Sequence, residues 1–340
     1  MKRQSLYFVE PGIVELREES IPDLDSNQVL VSTLLSGISS GTEMLIYQGN
    51  FPEDLALDEG IEAISGTANY PLKYGYSSVG EITAVSEGVG PGWIGKKVFS
   101  FQPHMTHYVA DKDDLKFIPD GITLEDAIFF PNMETGVNFL MDGSPVIGEN
   151  VIVLGQGVVG LLTTALLSRY PVRDLVTFDR FEIRRKASLD CGAQLSLDPS
   201  DKEEVEKLVA KLELEGSHGV DLVYELTGNP RGLDQAIELC GFDGRIVVGS
   251  FYGKKRAEID LGGRFHRSRI KIISSQVSTI DPVFSGRWDK TRRSNLVWDM
   301  IELVQPARLI THRFPFEKAE KAYKMLSESP EETIQIAFTY

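Results

Sequence analysis

One stretch near the middle of the chain constrains the fold more than any other. An apolar run at 151–154 leads into a GxGxxG sequence, and apolar residues at helical spacing then continue from 158 to 170. A second apolar run at 175–178 ends at Asp179. This order of strand, glycine-rich turn, helix, strand and acid is typical of a unit that binds a dinucleotide.

The three glycines of this motif suit three different tasks. Gly155 allows the tight turn off the strand, Gly157 lets the backbone approach a pyrophosphate, and Gly160 lets the helix pack closely on the sheet. The amino terminus of that helix points its amides at the phosphates. A turn with a purely structural role is the alternative interpretation.

Asp179 and its neighbour bear on the choice of cofactor. The Asp179 carboxylate suits the hydroxyls of the adenosine ribose and repels a 2′-phosphate, which favours NAD over NADP. Arg180 keeps NADP open, because a guanidinium binds a phosphate well. The predicted cofactor-binding residues of this region are Gly155, Gln156, Gly157, Val158, Val159, Gly160, Asp179 and Arg180.

Length and composition narrow the remaining possibilities. A chain of 340 residues is long for a single hydrophobic core, which favours two domains. The net charge of −15 disfavours nucleic acid as a partner. No apolar run is long enough for a membrane span and residues 1–4 do not begin a signal peptide, so we expect no membrane partner and a cytoplasmic location. Two cysteines provide neither a disulfide framework nor a thiolate metal cluster.

The chain divides into a β-rich first part, an alternating middle and a mixed tail. A helical pattern over 124–141 leads into six predicted strands that alternate with helices, and the alternation stops after residue 273. The predicted fold class is therefore α/β, a doubly wound parallel Rossmann sheet inserted into a β-rich domain, with the dinucleotide in the cleft between them. The six strands lie near Val151, Leu175, Gln194, Val220, Arg245 and Ile270, and the tail elements are a helix at 295–304, a strand at 309–314, a helix at 316–327 and a strand at 333–338.

Several segments resemble the medium-chain dehydrogenase/reductase superfamily over nearly the whole chain. Residues 36–43, SGISSGTE, are similar to the family's CGICGTD loop, residues 75–80, GYSSVG, to its GHExxG segment, and residues 225–228, ELTG, to a strand-end loop beside the nicotinamide. The resemblance implies a GroES-like irregular β-barrel domain at 1–132, a Rossmann NAD(P)-binding domain at 133–276 and a return to the first domain at 277–340. It also implies a homodimer paired through the outer strand near 270–274, and it adds Thr135, Thr227, Gly249 and Ser250 to the predicted cofactor-binding residues.

The resemblance breaks where zinc-dependent alcohol dehydrogenases of this family hold their catalytic metal. Those enzymes use Cys, His and Cys or Glu as ligands. The matching positions here are Ser39 or Ser40, Tyr76 with Ser77 beside it, and about Pro131. Neutral hydroxyls and a proline provide neither the charge nor the softness that zinc requires. The four-cysteine structural zinc lobe is also missing from the sequence, so we expect no metal.

Three further segments resemble a zinc-free branch of the superfamily that includes bacteriochlorophyllide a dehydrogenase. They are residues 103–107, PHMTH, residues 131–135, PNMET, and residues 287–289, RWD. This branch implies a metal-free NAD(P)-dependent dehydrogenase and leaves the substrate unassigned.

Without a metal, hydride transfer at the nicotinamide needs a side chain that moves the hydroxyl proton. The resemblance places His104, Tyr76, Ser40, Thr42 and Glu134 around the substrate oxygen. His104 has an ordinary pKa of about 6.5, which suits proton transfer near neutrality. Tyr76 and the Ser40 or Thr42 hydroxyl would donate or relay the proton, and Glu134 is an alternative acid. The structural alternatives are a His104 held by loop carbonyls, a Tyr76 that fills the space of a metal, and a solvated Glu134.

Three functions are consistent with these features. The leading hypothesis is a zinc-independent NAD(P)-dependent oxidoreductase that interconverts a secondary alcohol and a ketone of a small molecule. The second is an NADPH-dependent quinone or enoyl reductase, against which Asp179 argues. The third is a non-catalytic dinucleotide-binding protein, against which the titratable candidates argue.

Overall fold

A computed structural model of the chain describes residues 1–58, 60–214 and 218–340. The chain forms two compact units, Met1–Pro131 with Ile301–Tyr340, and Asn132–Met300. The second unit extends to Met300, past the return expected at residue 277. The reason lies in Arg293, whose guanidinium donates to the carbonyl oxygens of Val277 (2.6 Å) and Thr279 (3.2 Å) and so holds the segment after 276 in the second unit.

The first unit begins with strands. A two-stranded antiparallel sheet pairs β1 with β2, and the later strands belong to a larger sheet. The elements of this part are β1 (Lys2–Glu10), β2 (Ile13–Ser20), β3 (Gln28–Gly37), α1 (Thr42–Tyr47), β4 (Ser78–Val85), β5 (Lys97–Ser100), β6 (His107–Asp111), β7 (Lys116–Phe117) and α2 (Leu124–Ala127).

The helical pattern predicted over 124–141 is divided between α2 and a second helix, α3 (Phe130–Gly143). The division falls just before Pro131. Proline has no N–H to donate within a helix, but it is tolerated in the first turn, where that N–H would have no partner. Pro131 therefore lies in the first turn of α3 and prevents one continuous helix.

The second unit contains a six-stranded parallel sheet, within the described residues, in the order β10-β9-β8-β11-β12-β13. All five residues of β8 are buried, as expected for a central parallel strand covered on both faces. The predicted doubly wound parallel sheet is confirmed. The elements of this part of the chain are β8 (Asn150–Leu154), α4 (Val158–Leu167), β9 (Asp174–Phe178), α5 (Glu182–Asp190), β10 (Leu195–Leu197), α6 (Lys202–Leu214), β11 (Val220–Glu225), α7 (Arg231–Leu239), β12 (Cys240–Val248), β13 (Lys271–Ser274) and α8 (Lys290–Val304).

The carboxyl-terminal segment completes the sheet of the first unit. The four predicted tail elements are present with shifted boundaries, as α8, β14 (Ile310–Pro315), α9 (Ala319–Glu328) and β15 (Gln335–Thr339). The order in this sheet is β14-β15-β3-β4-β5-β7, and β6 also pairs with β3. Because β15 runs antiparallel to β3 and Ile38 N donates to Ile336 O (3.0 Å), the end of the chain lies beside the loop that follows β3.

Each unit has its own apolar core. In the first unit, Leu6 and Phe8 of β1, Phe316, and Tyr323 of α9 are buried in one cluster. In the second unit, buried residues of β8, β11 and β12 pack beneath the helices. Across the described part of the chain, no helix is both long enough and apolar enough for a membrane span.

Candidate functional site: a dinucleotide turn and a hydroxyl cluster

The turn between β8 and α4 shows why glycine occupies three of its positions. Gly155 has φ of 88°, in the left-handed region, and a Cβ there would lie 2.6 Å from Leu226 O. A Cβ on Gly160 would overlap the carbonyl oxygen of Gly155. A Cβ on Gly157 would meet nothing within 4 Å. Two of the glycines are therefore required by the fold itself, whereas Gly157 borders open space.

This open space lies at the amino terminus of α4. Gly157 is the N-cap residue of this ten-residue helix, and within the described chain no side chain caps it. The amides of Val158, Val159 and Gly160 belong to the first turn, where a helix has no internal acceptors for its N–H groups. Together with the helix dipole, they form a site that suits a pyrophosphate.

Asp179 follows β9 and lies against this turn. Its Oδ2 accepts a hydrogen bond from Gln156 N (2.8 Å) and its Oδ1 accepts one from Phe181 N (2.9 Å). Two basic side chains lie close by. The exposed Arg180 has its guanidinium 5.3 Å from the centre of the Phe181 ring, and that of Arg184 lies at 4.9 Å from the same ring. Burial lowers the pKa of Arg184, while the charge of Asp179 opposes that shift.

The side chain of Gln156 points into the protein and does not border the open space. It is fully buried, its Nε2 donates to the carbonyl oxygens of Gly155 (3.2 Å) and Val153 (3.3 Å), and its Oε1 accepts from the Thr164 hydroxyl (3.0 Å). Gln156 therefore braces the turn from within and can offer only backbone atoms to a ligand. The prediction that Gln156 binds the cofactor is thus limited to its backbone.

The other predicted cofactor residues at strand ends, Thr227, Gly249 and Ser250, are brought to the same edge of the sheet. The Thr227 hydroxyl donates to the buried carboxylate of Glu225, and the Ser250 hydroxyl accepts from Gly228 N (2.8 Å). A Cβ on Gly249 would overlap the ring of Phe139. In the structure the two hydroxyls brace the loops after β11 and β12.

Glu134 and Thr135 lie on α3. Glu134 Oε1 is 3.2 Å from the Nη2 of Arg293, a guanidinium that is almost completely buried and that also donates to Asn138 Oδ1 (2.7 Å). Glu134 is therefore the counterion of a buried cation, and removal of one partner would leave the other charge unpaired. This pairing corrects the hypothesis that Glu134 is an alternative acid. Thr135 is half-buried beside it.

In the first unit, three hydroxyl groups meet at Tyr76. The Tyr76 hydroxyl is hydrogen-bonded to Ser39 Oγ and lies 3.4 Å from Thr42 Oγ1. The serine in contact is Ser39, which corrects the choice of Ser40 and resolves the one-residue ambiguity of the two adjacent serines. Burial raises the pKa of Tyr76, its hydrogen bonds with Ser39 and Thr42 lower that pKa, and the charges of Glu43 and Asp58 raise it again. The net shift is upward.

His104 is completely buried, which corrects the hypothesis that it exchanges a proton directly with a substrate. Its Nδ1 lies 2.7 Å from Ser36 Oγ, its Nε2 lies 3.1 Å from Glu43 Oε2, and its ring contacts Phe338 edge-on. Both ring nitrogens therefore have side-chain partners. The alternative interpretation is a His104 held by loop carbonyls. The partners in the structure are instead a hydroxyl and a carboxylate.

Glu43 is the residue of this region that the sequence analysis missed. Its buried carboxylate accepts hydrogen bonds from Ser39 N (2.7 Å), from His104 and from the Tyr323 hydroxyl. The Ser36 hydroxyl in turn lies 2.8 Å from that of Tyr340. Glu43 ends the SGISSGTE segment, so a signal for it was present, but Tyr323 and Tyr340 are distant in sequence and carry none.

The residues at the family's zinc positions do not fit a zinc ion. Ser39 and Tyr76 are hydrogen-bonded to each other, Ser77 Oγ donates to Ile128 O, and Pro131 has no side-chain donor atom. Among the described residues, no three His, Cys, Asp or Glu side chains are grouped so that they could hold a metal. Zinc requires thiolate, imidazole or carboxylate ligands, and these positions offer neutral hydroxyls.

Comparison with known proteins supports a dinucleotide-binding dehydrogenase fold. Residues 158–291 match the zinc-binding dehydrogenase family. Sorbitol dehydrogenase 1 from Saccharomyces cerevisiae is 26% identical over 290 residues, which cover 74% of this chain and 77% of that protein. An alcohol dehydrogenase from Escherichia coli complexed with NADH has a TM-score of 0.79 at 20% identity, covering 100% of this chain and 99% of the other. A Sinorhizobium meliloti protein bound to NADP has a TM-score of 0.78 at 17% identity, with 100% of both chains covered.

The solved structures show the fold, and the sequence matches support a relationship to a known superfamily. The fold is that of the medium-chain alcohol dehydrogenases, a Rossmann domain combined with a GroES-like domain. The matches support a relationship to the zinc-type alcohol dehydrogenases of the medium-chain dehydrogenase/reductase superfamily. The family match begins after Ser39, Tyr76 and Pro131, so it does not include the positions at which this chain lacks zinc ligands.

Proposed function

We propose that this protein is a zinc-independent NAD(P)-dependent oxidoreductase that interconverts a secondary alcohol and a ketone, with Tyr76 as the proton donor to the substrate oxygen. Relatives named for alcohol, sorbitol and xylulose chemistry support action on CH–OH groups. The observation that carries the zinc-independent part is the hydroxyl cluster of Tyr76, Ser39 and Thr42, in which Tyr76 and Ser39 stand at positions that the resemblance assigns to metal ligands.

The second unit supports the cofactor assignment. The open position at Gly157, the free first turn of α4 and the Asp179 carboxylate fit a pyrophosphate and an adenosine ribose. We propose a preference for NAD, because a 2′-phosphate beside Asp179 would meet a like charge. The guanidinium groups of Arg180 and Arg184 lie over the Phe181 ring, and they are the groups that would bind the 2′-phosphate of NADP.

The chemistry requires one hydride and one proton. When bound, NAD(P)H supplies the hydride to the carbonyl carbon. The Tyr76 hydroxyl donates a hydrogen bond to the carbonyl oxygen and transfers its proton there as the C–O π electrons move to that oxygen. The Ser39 and Thr42 hydroxyls lie beside the Tyr76 oxygen and can turn to donate to the resulting phenolate, and a proton from solvent restores Tyr76. The products are the alcohol and NAD(P)⁺, and alcohol oxidation follows the same steps in reverse.

The raised pKa of Tyr76 determines which form of the side chain acts. A phenol has an ordinary pKa of about 10, so a further rise keeps Tyr76 protonated at neutral pH. A protonated Tyr76 polarises a carbonyl by donating a hydrogen bond, which is the contribution that a zinc ion makes in the zinc-dependent relatives. His104 and Glu134 have no direct part in this step.

The proposed substrate class and the proposed oligomeric state rest on different observations. The resemblance of residues 103–107, 131–135 and 287–289 to the bacteriochlorophyllide a dehydrogenase branch leaves the substrate unassigned, and the proposed secondary alcohol rests on the relatives named for CH–OH chemistry. We propose a homodimer paired through β13, the outer strand of its sheet, where Ile272 is 38% exposed and the nearby Phe242 is 68% exposed. A sedimentation mass of two chains is expected, and the mass of one chain would contradict the dimer.

Turnover with a substrate panel tests the proposed function. The purified protein would be assayed with NADH and NADPH against ketones, quinones and enoyl compounds, and with NAD⁺ and NADP⁺ against secondary alcohols and polyols. We expect turnover on the ketone and alcohol pair with NAD preferred. Turnover on quinones or enoyl compounds with NADPH would favour the second hypothesis, and binding of NAD without turnover on any compound would favour a non-catalytic protein.

A further inference from the structure

We propose that Glu43 and His104 form a buried positioning pair that sets Ser39 against Tyr76, and that the chain's last residue, Tyr340, belongs to its support. This inference rests on the proposed function, because it assigns a role to groups behind the hydroxyl cluster. Neither Glu43 nor His104 has accessible surface for a substrate, so neither is a catalytic residue here.

The Glu43 carboxylate is the centre of the pair. It is fully buried and has three hydrogen-bond donors, the Ser39 amide, the His104 ring and the Tyr323 hydroxyl. A buried carboxylate is costly unless such donors satisfy it, and hydrogen bonds to an ionised group are the stronger ones. The geometry therefore holds three separate chain segments around one charge, namely the loop after β3, the loop before β6, and α9.

An ionised Glu43 carboxylate selects one tautomer of His104. An ionised carboxylate only accepts hydrogen bonds, so Nε2 of His104 carries a proton and donates to Glu43. Nδ1 is then free to accept from the Ser36 hydroxyl at 2.7 Å, and Ser36 Oγ can accept from Tyr340. In this tautomer both ring nitrogens of His104, the Ser36 hydroxyl and the Glu43 carboxylate all have hydrogen-bond partners.

Ser39 is the point at which this buried pair meets the hydroxyl cluster. Its amide donates to Glu43 Oε1, and the Glu43 amide donates back to Ser39 O (2.9 Å). These two hydrogen bonds hold both the amide and the carbonyl of Ser39 to Glu43. The Ser39 hydroxyl is the group in contact with Tyr76. Loss of the Glu43 charge or of its support by His104 would therefore displace the hydroxyl that orients Tyr76.

Two variants and a matched control test this role. Glu43→Gln removes the charge, and Ser36→Ala removes the hydroxyl on Nδ1 of His104 without changing any charge. The control is His107→Gln, since His107 lies on the neighbouring strand and its Nδ1 contacts Thr106 Oγ1 (3.1 Å) away from the cluster. We expect kcat to fall about 100-fold in Glu43→Gln and less in Ser36→Ala, with KM unchanged, because misplacement of a reacting group acts on the chemical step. His107→Gln should retain the wild-type kcat.

A spectroscopic measurement separates this inference from the proposed function. In protein with ¹³Cζ-labelled tyrosine, the Tyr76 resonance is assigned by its loss in Tyr76→Phe. We expect it to shift in Glu43→Gln and in Ser36→Ala and to stay in place in His107→Gln. An unmoved Tyr76 resonance in both folded variants would overturn the positioning pair, whether or not a substrate is known. A moved resonance without turnover on any compound would instead contradict the proposed function alone.

Discussion

The β8–α4 turn of the second unit and the Tyr76 cluster of the first are built in opposite ways. The turn is formed by backbone, with Gly155 and Gly160 required by contacts and Gly157 open to solvent. The cluster is formed by side chains from the loop after β3, from α1 and from the segment around residue 76, and Glu43 connects it to α9. A backbone site depends on a contiguous motif, whereas a side-chain site depends on which distant segments the fold brings together.

The glycine pair gives the sharpest test of the backbone side of this comparison. In Gly160→Ala the new Cβ overlaps the carbonyl oxygen of Gly155, so we expect the free energy of unfolding to fall by about 3 kcal/mol and NAD binding to be lost. In Gly157→Ala the Cβ meets no protein atom, so stability should change by less than about 1 kcal/mol. Crowding of a pyrophosphate should still weaken NAD binding about tenfold or more.

Urea unfolding and NAD titration by calorimetry measure both effects. Wild-type stability in Gly160→Ala would show that the turn can relax. Wild-type NAD affinity in Gly157→Ala would show that the open space at this helix terminus is not where the pyrophosphate binds.

Tyr76→Phe tests the site that is built from side chains. Removal of the hydroxyl leaves the ring in place and removes the proposed donor, so we expect kcat to fall about 100- to 1,000-fold while the Kd for NAD is unchanged. Tyr7→Phe is the matched control, because its hydroxyl contacts Glu19 on the β1–β2 sheet. A Tyr76→Phe protein with wild-type kcat would remove Tyr76 from the reaction.

Asp179→Asn has a smaller expected effect and concerns cofactor choice. Asparagine keeps one oxygen for the amides of Gln156 or Phe181 but loses the charge, so NAD affinity should fall about tenfold and the preference over NADP should narrow. Asp174→Asn, at the opposite end of β9 and paired with Lys211, is the control. Unchanged discrimination between NAD and NADP in Asp179→Asn would assign that choice to other residues, with Arg180 and Arg184 the nearest.

The contrast between the two regions also explains what the sequence could predict. The six parallel strands and the roles of the motif glycines follow from local patterns, because periodicity and glycine spacing are written in consecutive residues. The choice between Ser39 and Ser40 depends on a turn geometry that two adjacent serines do not encode. The burial of His104 depends on Glu43, Ser36 and the C-terminal strand. The ion pair of Glu134 depends on Arg293, which is more than 150 residues away in sequence. Pairings of this kind are decided by tertiary packing.

The central claim is that a hydroxyl cluster, and not a metal, polarises the substrate oxygen. The most direct test is the zinc content of the purified protein, measured by mass spectrometry alongside turnover before and after treatment with a chelator. We expect substoichiometric zinc and turnover that the chelator does not change. One zinc atom per chain, removed by the chelator together with the activity, would contradict it.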